Sequence, residues 1–140
     1  MRWLVVYATA EGQTAQVATA LASRLERAGA EVSLREIRRA RDDVEMTQVD
    51  RVLVAAPVHR ERLPHRMVVF CRRHARDLAR RDAVLVSVSL SAAGDVASDW
   101  VGLERAVDDF ARRTRWRPAA VHHVAGALAF SRYDPLTRWL

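Results

Sequence analysis

Between an apolar run, Trp3 to Ala8, and a helical pattern lies a short stretch rich in hydroxyl and small side chains: Thr9, Ala10, Glu11, Gly12, Gln13 and Thr14. The helical pattern places Val17, Ala18, Leu21, Ala22 and Leu25 on one face. Strand, tight turn and helix in succession is how an α/β protein builds an anion site. The first N–H groups of a helix have no intrahelical acceptor and point out of its end, where the helix dipole is positive. Gly12 lets the backbone approach a ligand without a Cβ in the way, and Thr9 and Thr14 can add hydroxyl donors. The turn contains neither Lys nor Arg and does not read G-x-x-x-x-G-K-[ST], which excludes a nucleoside triphosphate P-loop. It also lacks G-x-G-x-x-G, which argues against a nicotinamide dinucleotide fold. Alone, T-x-x-G-x-T equally describes a plain polar turn with Thr14 near the helix start.

Other side chains that could do chemistry are sparse. His59 and His65 fall in a loop and could move protons, although exposed loop histidines are commonly just solvated. His122 and His123 are neighbours on a strand, so they point to opposite faces and cannot grip one metal ion; packing is the favoured role. No Cys/His spacing suggests zinc, and no catalytic triad is evident, so catalytic residues stay unassigned. Cys71 sits within a helical pattern and reads as a buried, inert thiol. Trp100 and Trp116 flank a helix as packing residues, with Trp100 close enough to the neighbouring loop to touch a ligand.

The elements that must position these residues follow from hydrophobic patterning. Arg2 to Ala8, Arg51 to Val58 and Ala83 to Val88 are continuous apolar runs, the mark of strands covered on both faces. Glu31 to Ile37 alternates and reads as a half-exposed edge strand, and Ala119 to Leu128 as the last strand. Pro57 is expected to close the strand that contains it. Helices are expected from Gly12 to Ala28, through Met67, Phe70, Cys71, His74 and Leu78, and through Leu103, Val107, Phe110 and Ala111. The charged segment Arg38 to Gln48 has room for a short helix. The expected order is β-α-β-(short α)-β-α-β-α-β, a parallel sheet with right-handed crossovers, in one domain spanning residues 1–140. Asp134 and Pro135 open a final helix that stops after a few residues. Such a stub implies a shortened chain, a gap filled by another surface such as a second subunit, or a short helix that leaves a small exposed patch.

The chain has 140 residues, half of them hydrophobic and 29% charged, as in an ordinary globular domain. Its 23 basic residues are all arginine and the net charge is +6, which favours anionic partners. The arginines are scattered and no nucleic-acid motif accompanies them, so nucleic acid is not expected. One cysteine provides no disulfide framework and suits a reducing compartment. No apolar run approaches the roughly 20 residues needed to cross a bilayer.

Tyr7 to Thr14, followed by buried strands ending in loops, resembles the flavodoxin-like arrangement. Within it, the chain is similar to the oxygen-independent, menaquinone-dependent protoporphyrinogen dehydrogenases. The likeness continues in Phe70-Cys71-Arg72-Arg73-His74, Ser87 to Ala92, Trp116-Arg117-Pro118, Ala125 to Leu128 and Arg132-Tyr133, nearly the whole chain in order. The resemblance implies a doubly wound five-stranded parallel sheet of order 2-1-3-4-5 with a shortened C-terminal helix. It also implies noncovalent FMN, the phosphate held by Thr9, Ala10, Glu11, Gly12, Gln13 and Thr14. The ring would lie between Pro57, Val58, His59 and Arg60 on one side and Ser89, Leu90, Ser91 and Gly94 on the other. Some positions depart from the family. Arg60 stands for an aromatic, Glu61 for a glycine, Ala93-Gly94 for basic residues and Ala129-Phe130-Ser131 for a basic-aromatic-proline segment. The family also continues beyond the length of this chain.

Three readings therefore stand. The first is an FMN oxidoreductase of heme biosynthesis, passing electrons from a porphyrinogen to a quinone in the cytoplasm, at the inner face of an anionic membrane. The second is a small flavodoxin-type electron carrier, a class that is generally acidic. The third is a flavin-free binding protein on the same scaffold.

Overall fold

A computed structural model describes residues 1–89 and 97–125, the side chains of 97–99 excepted. The elements run β1 (Arg2–Tyr7), α1 (Gln13–Arg27), β2 (Glu31–Glu36), β3 (Arg51–Val58), α2 (His65–Arg73), α3 (Ala75–Arg80), β4 (Val84–Ser89), α4 (Ala97–Thr114) and β5 (Ala120–Val124). All strand pairs are parallel and the sheet order is β2-β1-β3-β4-β5, the flavodoxin-like doubly wound arrangement that the resemblance implies. The continuous apolar runs are explained by cores on both faces. Trp3, Val5, Leu53, Ala55, Val86 and Val88 pack against Val17, Leu21 and Leu25 of α1. Leu4, Val6, Val52, Val54 and Leu85 pack against Phe70, Leu78, Phe110 and Trp116 on the opposite face. β2 alternates because it is an edge strand, with most of its residues exposed.

Pro57 lies inside β3 and does not close it, since pairing to β4 runs on through Pro57↔Val88 and Val58↔Ser89. A proline in a central strand is tolerable only where its missing N–H would have no partner. Ala8 N donates to Ala55 O, so Ala55 faces β1, and Pro57, two residues on, faces the same side. The β1 ladder ends at Tyr7↔Ala55, so Pro57 points past it and sacrifices no bond.

The short helix expected between β2 and β3 is absent. Asp42 instead builds a turn, its Oδ2 accepting the N–H groups of Arg38 at 2.8 Å and Arg39 at 3.0 Å. Those backbone bonds hold its carboxyl below the ordinary range. The rest of the connection is held from outside by Arg81, just past α3. Its guanidinium donates to Val49 O at 2.8 Å, Met46 O at 2.6 Å and Asp77 O at 3.1 Å. The single helix expected from Met67 to Leu78 is broken at His74, whose φ is −107°. There the imidazole Nε2 lies 2.8 Å from Asp43 Oδ1, tying the break to the same connection. The outer part of the last strand and the C-terminal stub, within 126–140, lie outside the described residues.

Arg81→Ala should lower unfolding free energy by about 2–3 kcal/mol, because it strands carbonyls that a charged donor now satisfies. A lower urea midpoint at unchanged m-value would show it.

Candidate functional site

Parallel strands β1 and β3 are neighbours, yet the chain leaves them for opposite faces of the sheet, to α1 and α2. A crevice opens at such a switch point, outside the carboxyl ends of the strands. The stretch from Thr9 to Thr14 sits on that rim, directly after β1. Gly12 adopts φ 90°, a left-handed conformation that favours glycine, and its carbonyl accepts from Gln16 N to close the first turn of α1. Among the described residues no side chain caps this helix, and no acidic residue lies in its first turn, so the leading N–H groups of Gln13, Thr14 and Ala15 have no acceptor within the helix. Among the described residues nothing lies within 4 Å of a Cβ built on Gly12, so they leave the space before the loop open.

Two details differ from the sequence expectation. Thr9 Oγ1 accepts the Gly12 N–H at 2.9 Å, so this hydroxyl shapes the loop, and one amide is engaged within it. Thr14 is only 2% exposed, so its side chain is buried at the start of α1. Ala10 and Glu11 are exposed, and Gly12 and Gln13 half-buried.

Past β3 the chain reverses sharply. His59 N donates to Arg62 O at 2.9 Å and Arg62 N to His59 O at 3.1 Å, with Arg60 at φ 50° and Glu61 at φ 60° between them. Two successive left-handed residues bridged in this way make a type I′ turn, for which Asn-Gly is the favoured pair. Arg60 and Glu61 adopt it at roughly 1–2 kcal/mol each. The Glu61 side chain lies against Gly102 of α4, where a Cβ would fall 2.9 Å from Oε1. The Glu61 and Gly102 pair thus joins the turn to the start of α4. There Trp100 and Val101 are 51% and 45% exposed, an apolar pair beside a basic turn.

Ser89, 5% exposed, ends β4, while Leu90, Ser91 and Gly94 lie outside the described residues. Behind this strand end, Ser87 Oγ is hydrogen-bonded to His123 Nδ1, and the His123 ring meets Trp100 edge-on with centroids 5.6 Å apart. Burial depresses the His123 pKa, with Glu104 opposing and His122 adding to the effect; burial alone depresses that of His122. His59 is exposed, and His65 is the exposed first residue of α2, not part of the loop. Among the described residues no three His, Cys, Asp or Glu side chains converge on a metal position. Burial raises the Cys71 thiol pKa far above its ordinary value.

The sequence reading missed Arg66. From the first turn of α2 its Nη2 donates to Thr9 O and its Nε to Ile37 O, each at 2.9 Å. A cation therefore stands beside a turn that contains none, brought there across a separation of 57 residues in the chain.

Arg60→Asn with Glu61→Gly installs the favoured turn pair and should raise unfolding free energy by about 1 kcal/mol in a urea titration. The two depressed histidines bind protons more readily in the unfolded chain, so their destabilising effect is absent above the ordinary pKa of 6.5. Stability should fall as pH drops through 6.5 toward their lower folded values, and His122→Gln with His123→Gln should flatten that limb of a Tm-against-pH curve.

The flavodoxin domain profile matches residues 4–140 of the chain. Protoporphyrinogen IX dehydrogenase [quinone] of Escherichia coli strain K12 is 27% identical over 143 aligned residues, covering 99% of this chain and 74% of that protein. Among solved structures, oxidised flavodoxin 1 from Bacillus cereus superposes with a TM-score of 0.68 at 15% identity, covering 99% of this chain and 94% of that one. A flavodoxin from Streptococcus pneumoniae gives 0.65 at 21% identity, covering 99% and 96%. With the fold, the order of the strands and the rim loop agreeing, the chain belongs to the flavodoxin domain family.

Proposed function

We propose that this chain is an FMN-dependent oxidoreductase that passes electrons from a substrate of the protoporphyrinogen type to a quinone. The observation that carries the reading is the uncapped, open start of α1 on the sheet's carboxyl rim, beside the β1/β3 switch point. Free amides at a helix start and clear space before a left-handed glycine fit a phosphate monoester. The likeness to the Escherichia coli dehydrogenase supports the substrate and acceptor classes.

In this reading residues 1–140 act as one unit. The backbone of Thr9, Ala10, Glu11, Gly12, Gln13 and Thr14 holds the phosphate. Pro57, Val58, His59 and Arg60 flank one side of the ring, with Ser89, Leu90, Ser91 and Gly94 on the other. Arg60 replaces an aromatic cover with a planar guanidinium that can still stack. Bound FMN would supply the electron chemistry, and the chain orients it and keeps water from its buried edge. Trp100 and Val101 offer an apolar surface to the substrate. The +6 charge suits propionate groups and an anionic membrane face reached from the cytoplasm.

Titration of purified protein with FMN should quench flavin fluorescence. Gly12→Asp should weaken binding at least about tenfold by placing a carboxylate at the phosphate. His122→Ala should leave the affinity unchanged, because His122 sits in the middle of β5, paired with Val86, and not in the rim loops that would hold the flavin. Quinone-dependent oxidation of protoporphyrinogen by the loaded protein separates the enzyme from an electron carrier. Absence of flavin quenching would leave a flavin-free binding protein on the same scaffold.

A further inference from the structure

We infer that Arg66 is the cation of the phosphate site, making the chain select phosphorylated flavin over the unphosphorylated ring. The inference rests on the flavin reading for its ligand. Its evidence is separate. Arg66 leaves α2 and crosses the carboxyl ends of β1 and β2, where Nη2 meets Thr9 O and Nε meets Ile37 O at 2.9 Å each. Ile37 N in turn donates to Tyr7 O at 2.7 Å, so one guanidinium joins the ends of both strands at the point where the anion loop begins.

Thr9 is also the residue whose hydroxyl accepts the Gly12 N–H. Arg66 therefore fixes both the carbonyl and, through the backbone, the hydroxyl that set the left-handed turn. Only two of its five N–H groups are engaged, and the others have no partner among the described residues. The side chain is half-buried, so its charge is screened less than that of a free surface arginine. A half-buried cation next to uncapped helix amides raises the affinity of that corner for a dianion. It does nothing for a neutral ligand.

The test compares FMN with riboflavin, which carries the same ring and ribityl chain without the phosphate. The parent should bind FMN at least about tenfold more tightly, with an affinity that falls as salt rises, while riboflavin binding barely responds to salt. Arg66→Met should remove most of that preference by weakening FMN about tenfold and leaving riboflavin unchanged. Arg66→Lys keeps the charge, cannot bridge both carbonyls, and should fall between the two. If Arg66→Met does not fold, the lysine variant and the salt dependence of the parent decide the matter. Equal loss of both ligands would mean that Arg66 serves the fold alone and overturns the inference, as would an unchanged preference in both variants.

A further arm uses inorganic phosphate on the apoprotein, read by thermal melting. Should neither flavin bind, a phosphate-dependent rise in Tm of the parent that Arg66→Met lacks upholds Arg66 while the flavin reading fails. No rise in the parent overturns both.

Discussion

The structure turns on an interruption of pairing. β1 and β3 run side by side only as far as Tyr7 and Ala55, and beyond that point each chain departs to its own face. Hydrogen-bonding groups that a longer ladder would have satisfied are released at the rim. The loop after β1 then offers amides to a ligand, while β3 presents Pro57, whose ring cannot ask for a partner there. Both layers of helices depend on this divergence, because it alone distributes α1 to one face and α2 to the other.

Much of the architecture is legible from residue patterning. Three strands buried on both faces leave little alternative to a parallel sheet between helical layers, and the alternation of Glu31 to Ile37 marks an edge. Legibility fails where the stabilising partner is far off in sequence. Nothing local announces that Arg81 will bond the carbonyls of Met46 and Val49, so the charged run Arg38 to Gln48 reads as holding at most a short helix. The same holds for the break at His74, where the ring comes to lie beside Asp43 of the distant β2–β3 connection.

The site divides along the same line. The turn from Thr9 to Thr14 can be read directly, since a glycine between hydroxyl residues at a strand-to-helix junction has a local meaning. Arg66 cannot, because a helical arginine looks like any solvated one until the fold carries it to the end of β1. Arg60 and Glu61 are legible only as departures from a family pattern. Their left-handed geometry goes against their intrinsic preferences and is imposed by the bonds between His59 and Arg62 and by the bare surface of Gly102. Such conflicts between local preference and global structure concentrate where function demands an unusual shape.

The buried sulfur of Cys71 has a wider implication. A protein handling electrons beside oxidants risks losing them to its own thiol, and the thiolate is the form that reacts. Enclosure in the core that α2 covers keeps this sulfur protonated and out of reach of oxidants in solution. It also makes the lone cysteine a silent clock: alkylating reagents can reach it only during the moments when the core comes apart.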